Sequence, residues 1–266
     1  MNSAGEKFEE LMRIMAALRA PDGCPWDREQ THASLTPTFV EEVYEFIDAV
    51  EENDSEMMKE ELGDLCLHIV FQAQIAQEQG EFSMADALED INRKLVRRHP
   101  HVFGDVKVEH AGEVLQNWEK IKKEEKGHSR PSALDGVPRH LPALSKAHKV
   151  QKKARKVGFD WEKIEDVLHK VEEEIGELRE AIRQGEQPAI EEELGDVLFS
   201  IVNVSRFVNV EPEQALHRTV RKFTNRFRKI EEKLKEKGIS VEEAGFAELD
   251  ALWEEVKREG ERGGDA

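Results

Sequence analysis

Apolar residues recur every three or four positions along most of the chain. The pattern is clear in two neighbouring stretches of the first half, residues 39–50 and 62–69. This spacing places apolar side chains on one face of an α-helix, whereas a half-buried strand would show strict alternation. No convincing alternation appears anywhere in the sequence. The pattern therefore predicts an all-α protein.

One stretch interrupts the helical pattern near the middle of the chain. Residues 127–142 contain three prolines and two glycines, namely Pro131, Pro138, Pro142, Gly127 and Gly136. These residues break helices. We therefore expect an N-terminal helical domain over residues 1–126, a linker over 127–143 and a C-terminal helical domain over 144–266.

The two halves repeat an acidic pattern in the same register. The pattern Glu-Glu-x-x-Glu at 41–45 returns at 173–177, and Glu-Glu-Leu-Gly-Asp at 60–64 returns at 192–196. The interval from Glu42 to Glu61 is nineteen positions, and the interval from Glu174 to Glu193 is also nineteen. Turn-forming residues lie between the two acidic segments of each half, at 53–55 and 184–188. Each half is thus predicted to contain an antiparallel helical hairpin.

The repeat continues beyond the acidic segments. A basic segment follows in each half, at 94–98 and at 222–226, and each half ends with an amphipathic stretch that begins with a tryptophan, Trp118 or Trp253. Four features in the same order indicate an internal duplication.

The acidic segments place carboxylates in pairs. Residues three apart lie about 60° apart around a helix, so each segment presents two carboxylates side by side. When two such helices pack antiparallel, four carboxylates can surround one cavity, and their repulsion calls for cations. Oxygen ligands favour Mg²⁺, with Mn²⁺ as a substitute. The predicted metal ligands are Glu42, Glu45, Glu61 and Asp64 in the first half and Glu174, Glu177, Glu193 and Asp196 in the second.

A solvated helix surface is the simpler interpretation of a single Glu-x-x-Glu, because acidic residues favour exposed helix faces. Two observations favour a functional site. The first is the matched register of the two halves. The second is a glycine within each helix, Gly63 and Gly195, which costs about 1 kcal/mol relative to alanine. Such a glycine is expected where a neighbouring helix backbone or a bound phosphate approaches closely.

These acidic motifs resemble those of the MazG family, within the wider group of all-α nucleoside triphosphate pyrophosphohydrolases. The resemblance extends from about residue 8 to residue 257 and includes the segments 23–27, 97–103 and 157–161. It implies two tandem MazG-like helical domains whose bundles are completed in a homodimer. It also implies Mg²⁺-dependent cleavage of NTPs and dNTPs between the α and β phosphates. By the same match, the catalytic residues would be Glu174, Glu177, Glu193 and Asp196.

Basic and aromatic residues supply candidates for nucleotide binding. Lys222 and Arg226 follow the second acidic hairpin and are expected to reach the phosphates, although a solvated basic helix is the alternative. Trp161 precedes that hairpin and is a candidate for base stacking, although an aromatic beside a turn is often a core anchor. The basic run at 146–156 is more simply explained as a solvated face.

Composition narrows the possible partners. The formal charge of −18 opposes binding to nucleic acid or to an anionic membrane through a general electrostatic field. Cys24 and Cys66 are too few for a disulfide framework, which favours a cytoplasmic protein. The apolar runs are too short to span a bilayer.

Two other classes of function remain open from the sequence. One is a non-catalytic helical adaptor that binds Mg²⁺ or serves regulation, and the other is a nucleic-acid-associated protein that uses the basic run near Lys149. The duplicated ligand register argues against the adaptor, and the net charge argues against nucleic acid. If both halves are enzymatic, the second half is expected to carry most of the turnover because more basic residues accompany its acids.

Overall fold

All regular secondary structure is helical in the computed structural model, which describes residues 3–126 and 132–263. The predicted all-α class is confirmed. The described residues fall into two compact units, one on each side of the gap at 127–131. The first unit contains α1 (Ala4–Leu18), α2 (Pro25–Glu29), α3 (Thr36–Glu52), α4 (Ser55–Glu78), α5 (Met84–Arg98), α6 (Pro100–Phe103) and α7 (Ala111–Lys126).

The second unit repeats the main helices of the first. It contains α8 (Ala143–Arg155), α9 (Ile164–Gln184), α10 (Gln187–Phe207), α11 (Pro212–Glu236) and α12 (Phe246–Gly263). Helix α1 packs on α4 in the first unit, as α8 packs on α10 in the second. The predicted linker begins at 127–131, outside the described residues. Its remainder forms turns, and Asp135 O accepts a hydrogen bond of 2.8 Å from Lys153 Nζ. The proposed domain boundaries stay a prediction.

An antiparallel hairpin is present in each unit at the predicted place, α3 with α4 and α9 with α10. In the first hairpin, Asn53 ends α3 with a φ of 55°, and the Asp54 side chain accepts hydrogen bonds from two backbone N–H groups at the start of α4. In the second, Gly185 turns the chain with a φ of 76°. Asparagine and glycine are the residues that tolerate this left-handed conformation.

Each unit has its own buried cluster of apolar side chains. In the first, Met15 from α1 packs with Val70, Phe71 and Ile75 from α4. In the second, residues of α11 and α12 form the cluster, with Ile230, Leu234, Leu252 and Val256 at its centre. The second cluster therefore joins α11 to α12, the two helices that carry the basic segment and the tryptophan of that half.

Several large apolar residues of the hairpins remain exposed in the single chain. On α4 these include Leu62 and Ile69, and on α10 they are Leu194, Leu198, Phe199 and Ile201. No helix within the described ranges is long and apolar enough to cross a bilayer.

Candidate metal and nucleotide site

Three carboxylates of the first hairpin converge. Glu42 and Glu45 on α3 and Glu61 on α4 each offer an oxygen, and these oxygens lie within 4.8 Å of one another. Glu61 is 6% exposed, and its Oε2 has no hydrogen-bond partner among the described residues. A buried carboxylate oxygen without a donor is destabilising unless a cation or another donor satisfies it. The arrangement is suited to a hard metal ion.

The convergence changes the acidity of the first cluster. Burial raises the pKa of Glu42 to about 7, with further contributions from the nearby charges of Glu45, Asp64 and Glu61. Burial also raises the pKa of Glu61, again with the help of Glu45 and Asp64. His68, beside the cluster, has its pKa lowered because it is buried. Carboxylates that resist ionisation together would be stabilised in their charged form by a bound cation.

The second hairpin brings the equivalent acids together. Oxygens of Glu174 and Glu177 on α9 and of Glu193 on α10 lie within 4.8 Å of one another. Glu174 is buried, at 7% exposure, while Glu177 is open to solvent. A hydrogen bond shared with Glu174, together with burial and the charge of Glu193, raises the pKa of Glu177. The raised pKa of Glu177 reflects the cost of placing ionised carboxylates side by side.

A cation accompanies the second cluster. Lys170, one turn before Glu174, places Nζ 2.9 Å from Glu174 Oε1 and 2.7 Å from Glu173 Oε1. These hydrogen bonds raise the pKa of Lys170, so the side chain stays charged. The sequence interpretation missed Lys170. The spacing of four residues between Lys170 and Glu174 was an available signal, because residues four apart meet on one helix face.

The fourth acid of each predicted set stands outside the three converging carboxylates. Asp64 is half-buried and lies close enough to raise the pKa of Glu42. Asp196 is exposed on α10. The structure therefore brings together three of the four predicted ligands in each half, and the roles of Asp64 and Asp196 stay predictions.

The two helix glycines do not mark a close helix contact within the described chain. A Cβ atom added at Gly63 or at Gly195 would meet no atom within 4 Å. No neighbouring helix backbone approaches either glycine within the single chain, so this part of the expectation is wrong there. The other expected reason, a bound phosphate, stays a prediction.

Lys222 and Arg226 lie in a basic cavity of 560 Å³ between α11 and α12. Asn225, Lys229 and Gly260 also line this cavity. The Arg226 guanidinium carbon lies 5.7 Å from the centre of the Trp253 ring, a cation–π contact that orients the arginine. The site prediction omitted Trp253, although its place in the repeat matched Trp118.

Trp161 occupies a different part of the second unit. It is 46% exposed on the loop before α9 and is not among the residues that line the α11–α12 cavity. Its neighbour Asp160 accepts a hydrogen bond of 3.1 Å from Arg206 Nη1, and Arg155 Nε lies 3.3 Å away. The aromatic ring is accessible for stacking, and that role stays a prediction.

The basic run at 146–156 is partly engaged in contacts within its own unit. Lys152 Nζ lies 3.3 Å from Glu211 Oε1, and Lys153 bonds to the Asp135 carbonyl. His148 Nδ1 lies 3.0 Å from Glu211 Oε2. These contacts fasten α8 to its surroundings.

Comparison with known proteins agrees with this arrangement. The family model of the MazG nucleotide pyrophosphohydrolase domain matches residues 30–103 and again residues 162–230, so each acidic hairpin lies within one match. The nucleoside triphosphate pyrophosphohydrolase/pyrophosphatase MazG of Thermotoga maritima is 50% identical over 257 residues, which cover 97% of this chain and 98% of the relative. The nucleoside triphosphate pyrophosphohydrolase of Escherichia coli K12 is 44% identical over 257 residues, 95% of this chain and 98% of the relative.

A more distant relative matches part of the chain. The nucleoside triphosphate pyrophosphohydrolase of Mycobacterium tuberculosis is 37% identical over 169 residues, which cover 63% of this chain and 50% of the relative. With two matches to one family model and relatives of high identity over nearly their whole length, the chain belongs to the MazG nucleotide pyrophosphohydrolase family, in its tandem form with two such domains.

Proposed function

We propose that this protein hydrolyses NTPs and dNTPs between the α and β phosphates, in a reaction that depends on Mg²⁺ and yields a nucleoside monophosphate and pyrophosphate. The observation that carries the proposal is the convergence of Glu174, Glu177 and Glu193 beside Lys170. The relatives from Thermotoga maritima and Escherichia coli are named nucleoside triphosphate pyrophosphohydrolases, which supports the activity.

The second hairpin is the proposed catalytic site. Its three converging carboxylates, with Asp196, would hold the metal through oxygen atoms alone, a donor set that suits Mg²⁺ or Mn²⁺. When bound, such an ion supplies positive charge that offsets the phosphate oxygens and the leaving pyrophosphate, and it makes water more acidic. Glu42, Glu45, Glu61 and Asp64 are the proposed counterparts in the first half.

The side chains of this chain then have distinct tasks. A carboxylate of the cluster accepts the proton of the water that attacks the α phosphorus. Lys170 neutralises Glu174 before substrate arrives and, if Glu174 served as a metal ligand, would be available to donate to a phosphate oxygen. Lys222 and Arg226 bind phosphate from the α11–α12 cavity, and Trp161 stacks on the base.

We also propose that the protein is a homodimer. The exposed Leu194, Leu198 and Ile201 on α10 and Val220 and Phe223 on α11 form apolar helix surfaces, which a second copy would cover. Leu198→Glu should then yield a monomer by light scattering. A wild-type chain that is monomeric at micromolar concentration would contradict the proposal.

The biological role proposed is housekeeping of the nucleotide pool in the cytoplasm, by removal of surplus or damaged nucleotides. The rival function, a helical adaptor that binds Mg²⁺ without catalysis, predicts metal binding with no turnover. An adaptor that only binds Mg²⁺ does not need the basic α11–α12 cavity, whereas an enzyme that acts on nucleotides can bind their phosphates there.

The test is product analysis in ¹⁸O-labelled water. The pure protein is incubated with ATP, dATP and the other NTPs and dNTPs, in Mg²⁺ or in excess EDTA, and the products are separated by chromatography. AMP that carries the label, with unlabelled pyrophosphate, is expected from attack at the α phosphorus. ADP with orthophosphate as the main products, or turnover that survives thorough chelation, would overturn the proposal, and no turnover with any nucleotide would favour the adaptor.

A further inference from the structure

The pairs α5–α7 and α11–α12 occupy the same place in the two halves, and one contact is reproduced in both. The Arg98 guanidinium carbon lies 5.4 Å from the Trp118 ring centre, and that of Arg226 lies 5.7 Å from the Trp253 ring centre. Both arginines are the last residue of the repeated basic segment, and each tryptophan is the eighth residue of its helix, α7 or α12. We call the surroundings of Arg98 and Trp118 the first pocket and those of Arg226 and Trp253 the second pocket, and their correspondence stands on three-dimensional contacts as well as on sequence.

The two final helices differ at several positions, and one of these differences changes the surroundings of the repeated arginine. The seventh residue after Trp118 is Glu125, and the seventh after Trp253 is Gly260. Gly260 lines the open cavity that contains Lys222 and Arg226. A Cβ atom added at Gly260 would meet nothing within 4 Å, so the cavity has room for a side chain there.

In the first half, the carboxylate of Glu125 sits between two arginines. Arg97 Nε donates to Glu125 Oε1 at 2.6 Å, and Arg98 Nε donates to Oε2 at 3.0 Å. The side chains of Glu125 and Arg98 are both only 14% exposed. Hydrogen bonds from Arg98, and then from Arg97, lower the pKa of Glu125 to about 2, so the group stays charged.

A carboxylate held in this way imitates a phosphate. Arginine presents its N–H groups to carboxylates and to phosphates with the same forked geometry. A nucleotide phosphate that entered the first pocket would have to displace Glu125 from the exposed Arg97 and from the largely buried Arg98, and the displaced carboxylate would then repel it. In the second pocket no side chain exists at the equivalent position, so Arg226 remains open to an incoming phosphate on that side.

We propose that Glu125 is a built-in anion that closes the first basic pocket to nucleotides and so confines nucleotide binding to the second half. The inference rests on the proposed function, because it assumes that the α11–α12 cavity takes nucleotide phosphates. It adds a specificity-determining residue outside both acidic clusters.

The experiment measures binding of α,β-methylene-ATP, which cannot be cleaved between the α and β phosphates, by titration calorimetry in Mg²⁺. Wild-type protein is expected to bind one equivalent per chain. Glu125→Ala should open the first pocket and raise the stoichiometry to two, and Arg98→Ala added to that variant should return it to one. A folded Glu125→Ala protein that still binds one equivalent overturns the proposal.

The second half provides the reciprocal test, which does not depend on the folding of a Glu125 variant. Gly260→Glu should weaken binding at least about tenfold more than Gly260→Gln, because only the new carboxylate would compete for Arg226. Equal binding by the two Gly260 variants overturns the proposal. A wild-type protein that neither binds the analogue nor hydrolyses ATP contradicts instead the proposed function.

Discussion

Lys170 Nζ lies 2.9 Å from Glu174 Oε1 in the second half, whereas the equivalent position before Glu42 in the first half is Thr38. The second cluster thus contains its own counter-charge, whereas the first has an uncharged residue at the matching position. This asymmetry agrees with the raised pKa of Glu42, which follows from burial and from three neighbouring acids. Two sites with the same acids therefore differ in how strongly they require a cation.

Lys170 should matter for turnover more than for folding. Lys170→Met removes the cation beside the converging carboxylates, and kcat for ATP should fall about 10²-fold, the effect typical of a lost charge-stabilising donor. Lys59→Met is the matched control, since Lys59 pairs with Glu56 on an exposed surface and its side chain is 70% exposed. Steady-state kinetics in saturating Mg²⁺ measures kcat for both variants. Equal kcat values for Lys170→Met and Lys59→Met would exclude a phosphate-binding or charge-balancing role for Lys170.

The two halves should respond differently to loss of a ligand. Glu193→Ala is expected to reduce activity about 10²-fold or more, because the remaining carboxylates no longer hold the cation correctly. Glu61→Ala should have a smaller effect. Both variants must retain wild-type helicity and oligomeric mass. If Glu61→Ala abolishes turnover while Glu193→Ala preserves it, the dominant site has been assigned to the wrong half, and if neither loses more than about half the rate, the two sites are equally active.

The stability of the metal-free protein should fall as pH rises through the range in which Glu42 ionises. The folded-state pKa of Glu42 is about 7 and the ordinary value is 4.5, so the folded state holds this proton more tightly. Stability contributed by the proton is complete below pH 4.5 and is lost as pH rises towards 7. Added Mg²⁺ should restore it at pH 8.

Thermal unfolding in EDTA at pH 5.5 and at pH 8 measures this effect. The drop in Tm between the two values should be smaller in Glu42→Gln than in the wild type, because the amide cannot ionise. Other acids in the chain provide the remaining pH dependence, which both proteins share. Identical drops in the two proteins would mean that Glu42 has an ordinary pKa in the folded state.

Asp160 should contribute to stability although its chain neighbours Phe159 and Trp161 are exposed. Arg206, whose side chain is 3% exposed, donates to Asp160 from Nη1 at 3.1 Å. Asp160→Ala leaves a buried guanidinium without its carboxylate, and the free energy of unfolding should fall by about 3 kcal/mol. Arg155 also pairs with Asp160, but its side chain is 63% exposed, so Arg155→Ala should cost less than about 1 kcal/mol. Urea denaturation measures the loss in free energy of unfolding for each variant. Similar losses for Asp160→Ala and Arg155→Ala would contradict the prediction.

Local sequence was sufficient to predict the helical hairpins. The turns at Asn53 and Gly185 occur where turn residues interrupt the apolar period, because the backbone preferences of asparagine and glycine act within a few positions. The convergence of Glu42, Glu45 and Glu61 was foreseeable for the same reason, since the length of the interval sets the register of an antiparallel hairpin. The interval repeats in the second half, and the second cluster repeats with it.

Contacts between distant segments were not foreseeable. Glu125 could have faced solvent like most glutamates on a charged helix, and only the packing of α7 on α5 places it between Arg97 and Arg98. The expected close helix approach at Gly63 and Gly195 is not found within the single chain for a similar reason, because a glycine in a sequence does not specify which helix packs against it.

The sequence by itself determined the helical class, the duplication and the identity of the acids, since periodicity, turn residues and spacing are local properties of the chain. Tertiary structure alone decided which polar groups become partners. Arg98 and Arg226 occupy the same position in a repeat and make the same aromatic contact, yet one is neutralised by Glu125 and the other borders an open cavity. The physical reason is that charged side chains on a helix surface have several partners within reach, and the choice among them depends on which helix packs alongside and on which side chain that helix presents.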